Sequence, residues 1–206
     1  MALYYSETYP TSVLGIILRA TFLGRRRDWD WLSNPDGAAR IRPLGYQELA
    51  RIVPYEYRKF PTSWYYQVLK ENPSEFRKDA AHRWTRWEAS LLYADGREVG
   101  YDERTDYQTA LMETHYAVND SFMPDNYLVN NAAKISHLPV WIIHGKEDLI
   151  CPIDMAYELK SVLPNASLQV IPYAAHAANE PGIKAALIEA TKNFAIWYWS
   201  KHPRYY

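Results

Sequence analysis

Three short apolar runs bounded by turn residues constrain this chain most. They are Ser12–Ala20 (SVLGIILRA), Pro139–Gly145 (PVWIIHG) and Leu168–Tyr173 (LQVIPY). Continuous Val/Ile/Leu runs of this length suit strands of a parallel sheet covered on both faces. Helical signals lie between and after them. Ile153–Leu163 follows Pro152, a favourable opening for a helix. After Pro181, residues Ile183, Leu187, Ala190, Phe194 and Trp197 recur at helical spacing, with Glu180 in the N-cap position. Met1–Thr8 reads as a helix leading into the first strand. The order strand, helix, strand, helix over the last third predicts an α/β fold with a parallel sheet and crossover helices.

The stretch from about Gly24 to Asn131 differs. It has no convincing strand and is rich in Trp, Tyr and Arg, so it reads as a helical insertion between two strands. Asn72-Pro73-Ser74-Glu75 has the form of a helix start, with Asn72 as cap and Pro73 at the first helical position. Phe76, Ala80, Trp84, Trp87 and Leu91 follow as an apolar face. Arg25-Arg26-Arg27 reads as a solvated turn after the first strand. The whole chain holds 18 Tyr and 8 Trp, a content that suits stacked helices and deep pockets.

Charge narrows the function classes. Lys+Arg is 23 and Asp+Glu is 24, a net charge of −1, which argues against a nucleic-acid partner or an anionic membrane. The single cysteine, Cys151, excludes an intrachain disulfide and a multi-cysteine zinc site. No apolar run reaches the roughly 18 residues of a membrane helix. The first residues lack the pattern of a signal peptide, so the expected location is cytoplasmic. His82, His115, His137 and His202 show no metal-ligand spacing; no metal and no cofactor are expected.

Two loops carry chemistry. His144-Gly145-Lys146-Glu147-Asp148 closes the second apolar run, and Tyr173-Ala174-Ala175-His176 closes the third. Both loops would lie at the carboxyl edge of the sheet, where open α/β sheets place their sites. Asp148 alone also suits a turn or cap, and His176 alone a structural loop histidine. Asp then His on successive strand ends is the order of the last two members of an α/β-hydrolase triad. His144 reads as a packed core residue. The third member is not in the sequence: no serine has the G-x-S-x-G frame, and Cys151 is too close to Asp148 to serve.

These residues resemble a known family. Asp125-Asn126-Tyr127-Leu128, Ile135-Ser136-His137-Leu138-Pro139, HGKEDLICP, YAAHAANEPGI, LRATFLGRRRDWDWL and RWTRWEASLL look like segments of the proline iminopeptidases. These are serine peptidases of the α/β-hydrolase fold with a helical cap. The resemblance spans essentially the whole chain. It implies that Asp148 and His176 are the triad acid and base. It implies that Glu88 and Glu113 bind the substrate's free amino terminus, and that Phe22 and Cys151 line a proline pocket. The substrate would be a peptide with N-terminal proline, whose ammonium pairs with carboxylates by charge-assisted hydrogen bonds.

The resemblance implies an incomplete α/β-hydrolase core at 1–24 and 132–206 and a helical cap at 25–131. By the match, the family's nucleophile turn falls about five residues before Met1. The chain thus reads as the family's C-terminal part, inactive alone, with an exposed sheet edge open to self-association. The alternative is a non-catalytic chain that binds N-terminal-proline peptides or a complementing chain. An ester or epoxide hydrolase is a third reading, against which the two glutamates speak. Two positions depart from the family: Ala20 stands where a glycine is expected, and Leu32 where a pocket aromatic is expected.

Overall fold

A computed structural model describes residues 1–71, 73–97, 99–100 and 102–202. The chain packs as two compact units. One comprises Met1–Leu23 and the chain from Tyr127 onward; the other is Gly24–Asn126.

The first unit contains helix α1 (Ala2–Thr8), strand β1 (Ile16–Arg19) and, after the insertion, α7 (Tyr127–Asn131), β2 (Val140–Gly145), α8 (Ile153–Val162), β3 (Ser167–Ile171) and α9 (Pro181–Lys201). The sheet order is β1-β2-β3, all parallel. Ile16 stands opposite Val140, and Gly145 opposite Ile171. Successive side chains of a strand point to opposite faces. Trp141 and Ile143 thus share a face with Ile17 and meet Ile183, Ala186 and Ala190 of α9. On α8 the buried residues are Met155, Ala156 and Leu159. α7 packs in this unit, with the rings of Tyr4 and Tyr127 5.4 Å apart.

The three strands lie where the apolar runs predict them, but shorter. Pro10–Ser12 forms a 3-10 turn, Leu14 is exposed, and pairing begins where the Ile16 amide donates to the Pro139 carbonyl at 2.9 Å. Apolar character overstates strand length here because the run includes its approach turn. The long last helix is also as predicted, although Phe194 and Trp197 are only half-buried.

The second unit is helical: α2 (Arg26–Ser33), α3 (Pro43–Ala50), α4 (Pro61–Lys70), α5 (Glu75–Ala89) and α6 (Glu103–Val118). Its aromatics explain its cohesion. Tyr65, Trp84 and Trp87 are fully buried, and the tips of two of them close helix ends. The last carbonyls of a helix lack partners within it. Trp87 Nε1 donates to the Leu32 carbonyl of α2 at 2.8 Å, and the Tyr65 hydroxyl to the Leu49 carbonyl of α3 at 2.8 Å. Tyr46 donates likewise to the Ser33 carbonyl at 3.1 Å. The rings meet edge-on, Tyr65 on Trp84 at 5.3 Å and Tyr46 on Trp87 at 5.5 Å, the geometry the ring quadrupole favours.

Three local expectations are corrected in this unit. α5 starts on Ser74, whose Oγ accepts from the Arg77 amide at 3.1 Å. Pro73 therefore precedes the cap instead of opening the helix, and Asn72 lies outside the described residues. Phe76 is 51% exposed, one turn too early to reach the core that holds Ala80, Trp84 and Trp87. Arg25 is buried, not solvated: it binds both carboxylate oxygens of buried Asp28 at 3.0 Å, and its Nη1 donates to Asn126 Oδ1 at 3.2 Å. Arg26 and Arg27 are exposed as expected.

After α6, Asp120, Ser121 and Phe122 all have left-handed backbone, with φ of 48°, 55° and 58°. Each such non-glycine residue costs about 1–2 kcal/mol. Anchors in the same unit offset that cost: Arg26 pairs with Asp120 at 2.6 Å, Trp29 Nε1 donates to Ser121 Oγ at 2.9 Å, and the Phe122 ring packs on Tyr116.

Candidate active site

In the first unit, Asp148 sits in the loop after β2 and His176 in the loop after β3. His176 Nδ1 lies 3.0 Å from Asp148 Oδ2 and 3.2 Å from Oδ1. An ionised carboxylate only accepts, so the imidazole proton is on Nδ1 and the basic lone pair on Nε2. Asp148 is fixed from below: Oδ1 accepts from the Ile150 amide at 3.0 Å and the Cys151 amide at 2.8 Å. It is buried, while the His176 side chain retains 16% exposure. A shielded acid behind a partly open imidazole is the arrangement a general base needs.

Four residues that the motif reading did not single out as site residues hold this pair. Gly145 ends β2 where the His176 loop crosses it. A Cβ there would stand 2.1 Å from the Ala175 carbonyl oxygen and 2.5 Å from that of Ala174, so only glycine allows the approach. Glu180 occupies the N-cap position of α9, as expected, but its carboxylate does not cap the helix. It turns back and accepts from the Ala175 amide at 2.6 Å. Arg19, at the end of β1, donates through Nη1 to the His176 carbonyl. His144 is fully buried, as its sequence context predicts, and does more than fill space. Its Nδ1 accepts from the Thr21 amide at 3.2 Å and its Nε2–H donates to the Cys151 carbonyl at 2.7 Å. Burial pushes its pKa below the usual imidazole range, which keeps the ring neutral beside Asp148, 3.7 Å away.

That bridge ties the exit of β1, where half-buried Phe22 follows Thr21, to the Asp148 loop with buried Cys151. Ala20 keeps left-handed backbone, φ 51°, at the position where the family resemblance expects glycine.

Glu88 and Glu113 lie together in the second unit. Glu88 is one residue from the end of α5, and Glu113 is in the second half of α6. Trp84 Nε1 donates to Glu113 Oε2 at 2.8 Å. The Glu113 side chain keeps some open surface, but its carboxyl is densely surrounded. Burial first, and then the charge of Glu88, push its pKa well above the usual carboxylate range. Leu32 is buried in the same unit, where its carbonyl receives Trp87. Among the described residues, no cluster of three or more His, Cys, Asp or Glu could hold a metal, and no helix is long and apolar enough to cross a membrane.

Three curated relatives are similar to the chain. Proline iminopeptidase of Arabidopsis thaliana is 34% identical over 198 residues, 93% of this chain and 52% of the relative. The probable proline iminopeptidase of Leptolyngbya boryana is 38% identical over 200 residues, 94% of this chain and 62% of the relative. That of Neisseria gonorrhoeae is 32% identical over 194 residues, again 94% and 62%. The chain is a homologue of the proline iminopeptidases. It spans about half to three-fifths of the length of these curated relatives. No protein-family model matches it.

The parallel sheet and its helices are those of the α/β-hydrolases. A membrane phospholipase A described as a bacterial virulence factor superposes on 94% of this chain and 52% of its own, with a TM-score of 0.50 at 12% identity. At that identity the likeness concerns the fold alone.

Proposed function

We propose that this chain supplies the acid, the base and the amine pocket of a proline iminopeptidase-type serine peptidase that releases N-terminal proline. The observation that carries the reading is the Asp148–His176 pair, with Nδ1 committed to a buried carboxylate and Nε2 left basic. In the reaction, His176 Nε2 takes the proton of a serine hydroxyl outside these 206 residues as its oxygen attacks the proline carbonyl carbon. The imidazolium, steadied by Asp148, then protonates the leaving amine, and water cleaves the acyl-enzyme by the same base. Glu88 and Glu113 receive the substrate's secondary ammonium, and Phe22 and Cys151 border the ring. A cytoplasmic site of action belongs to the same reading.

The test is proline release from a Pro-X dipeptide by the protein as isolated from its source. Asp148→Asn and His176→Ala should each reduce release by at least about a thousandfold. Release that survives His176→Ala overturns the reading.

A second reading is a non-catalytic chain that joins a complementing chain or a second copy. Its support is the sheet edge: among the described residues, β1 pairs only with β2 and its other side carries no strand. Light scattering on the 206-residue chain tests it; a monomer at micromolar concentration counts against a second copy.

A further inference from the structure

The left-handed turn at Asp120–Phe122 is strained, and strain of this kind gathers at functional sites. The turn is anchored on α2 by Arg26 and Trp29. Both of those residues line a cavity of about 190 Å³ in the helical unit. At about 30 Å³ for each water, that space has room for roughly six waters or one small organic molecule. Its walls come from α2, the start of α4 and the end of α6.

The two ends of the cavity differ in chemistry. At one end Phe60, Thr62 and Ser63 form the N-terminus of α4, a helix of ten residues. The first amides of a helix have no partner within it, and Phe60 in the N-cap position has no side chain that can cap them. Ser63 Oγ is engaged, donating to the Phe60 carbonyl at 3.0 Å. Thr62 is 9% exposed, and among the described residues its hydroxyl has no hydrogen-bond partner. A buried free hydroxyl beside the positive end of a helix dipole suits an anion.

At the other end Asp30 of α2 presents a half-buried carboxylate. Arg26, one turn earlier on α2, pairs with Asp120 at 2.6 Å. Among the described residues Asp30 makes no ion pair of its own. Burial, ahead of the opposing effects of Arg26 and Asn34, pushes its pKa above the usual carboxylate value, as befits an acid short of a cation. Between the ends, Trp29, Phe60 and Val118 supply apolar wall.

We propose that this cavity binds a free α-amino acid with a small apolar side chain, its carboxylate on the Thr62 hydroxyl and the start of α4 and its ammonium group on Asp30. An anion alone would leave Asp30 without a cation, and a cation alone would face the positive end of α4. A zwitterion satisfies both ends with charge-assisted hydrogen bonds. A side chain of valine's size then rests against Trp29 and Phe60. Glu88 and Glu113 do not line this cavity, so its occupant is independent of the proposed substrate amine.

The experiment is titration of the 206-residue chain with L-valine, followed through the nitrogen-15 signals of the indole N–H groups. The controls are isovalerate, which is valine without the ammonium group, and isobutylamine, which is valine without the carboxylate. L-Valine should shift the Trp29 signal to saturation, and each control should bind at least about tenfold more weakly. Thr62→Val should weaken valine binding by about tenfold or more, Thr62→Ser should retain it, and Asp30→Asn should weaken it by a similar factor. The Trp84 indole, which donates to Glu113, reports the amine pocket separately. No saturable shift at Trp29, or a shift at Trp84 alone, overturns the proposal. Either control binding as tightly as L-valine, or full affinity in Thr62→Val, also overturns it.

Discussion

Replacing Glu7 by Gln should make the chain more stable at pH 8 and leave it nearly unchanged at pH 5. Glu7 lies on α1 with 2% exposure, and neither carboxylate oxygen has a hydrogen-bond partner. Burial raises its pKa from 4.5 to about 7, against the opposing pull of Lys134. The unfolded chain ionises Glu7 near pH 4.5, whereas the folded chain holds the proton to about pH 7. Between those values the folded state binds more protons, so stability falls as pH rises. Below pH 4.5 both states are neutral and the penalty vanishes; above pH 7 it is complete. At about 1.36 kcal/mol per pKa unit the shift amounts to about 3 kcal/mol, and water around the helix end reduces this to about 2–3 kcal/mol. Gln cannot ionise and removes the slope. The difference between the two proteins should therefore grow by about 2–3 kcal/mol from pH 5 to pH 8, or roughly 5–10 °C in Tm for a chain of this size. Urea unfolding at both pH values measures it. An equal offset at the two pH values, whatever its sign, would refute the argument, because it would show that Glu7 does not titrate between them.

Further outcomes follow from the site geometry. Ala20→Gly relieves the left-handed backbone at φ 51° and should raise the urea midpoint by the equivalent of about 0.5–1 kcal/mol; a lowered midpoint would show that the methyl contact outweighs the strain. Gly145→Ala drives a Cβ into the Ala175 carbonyl, and nitrogen-15 spectra should show His176 freed from Asp148 or the fold lost; an unchanged His176 signal would contradict the close approach. Asp148→Asn keeps its oxygen on the Ile150 and Cys151 amides and turns an NH2 donor toward His176 Nδ1, so imidazole nitrogen-15 shifts should leave the single Nδ1–H tautomer; retention of that tautomer would mean that another group orients the ring.

The sheet was legible because its signal is local. Val140, Ile142 and Ile143 form an unbroken apolar run, and the Asp148 and His176 loops follow directly from strand ends. The order of the loops placed both residues on one edge without knowledge of any contact. What supports the pair was not legible, because it depends on backbone proximity between distant segments. Nothing near Gly145 announces that a carbonyl of residue 175 will pass 2.1 Å from its absent side chain. Glu180 looks like a helix cap from its neighbours, and only the loop path turns its carboxylate to the Ala175 amide. The insertion was recognised as helical, yet its cap at Ser74 and the exposure of Phe76 depend on where neighbouring helices lie. The left-handed run at 120–122 contains no glycine to signal it; Asp120, Ser121 and Phe122 hold that backbone through partners on α2 and α6.

The clamp from Arg25 to Asn126 bears on how the chain folds. β2, α8 and β3 are close in sequence and can assemble early, but β1 reaches β2 only across the roughly one hundred residues of the insertion. Closing an unstructured loop of that length would cost several kcal/mol of entropy before the first β1–β2 contact formed. If the insertion folds first, Arg25 and Asn126 hold its two ends 3.2 Å apart, atom to atom. The search then shrinks from a hundred residues to a few on either side. On that account the Arg25–Asn126 hydrogen bond becomes a kinetic staple for the sheet, and its removal should slow the docking of β1 more than it destabilises the finished fold.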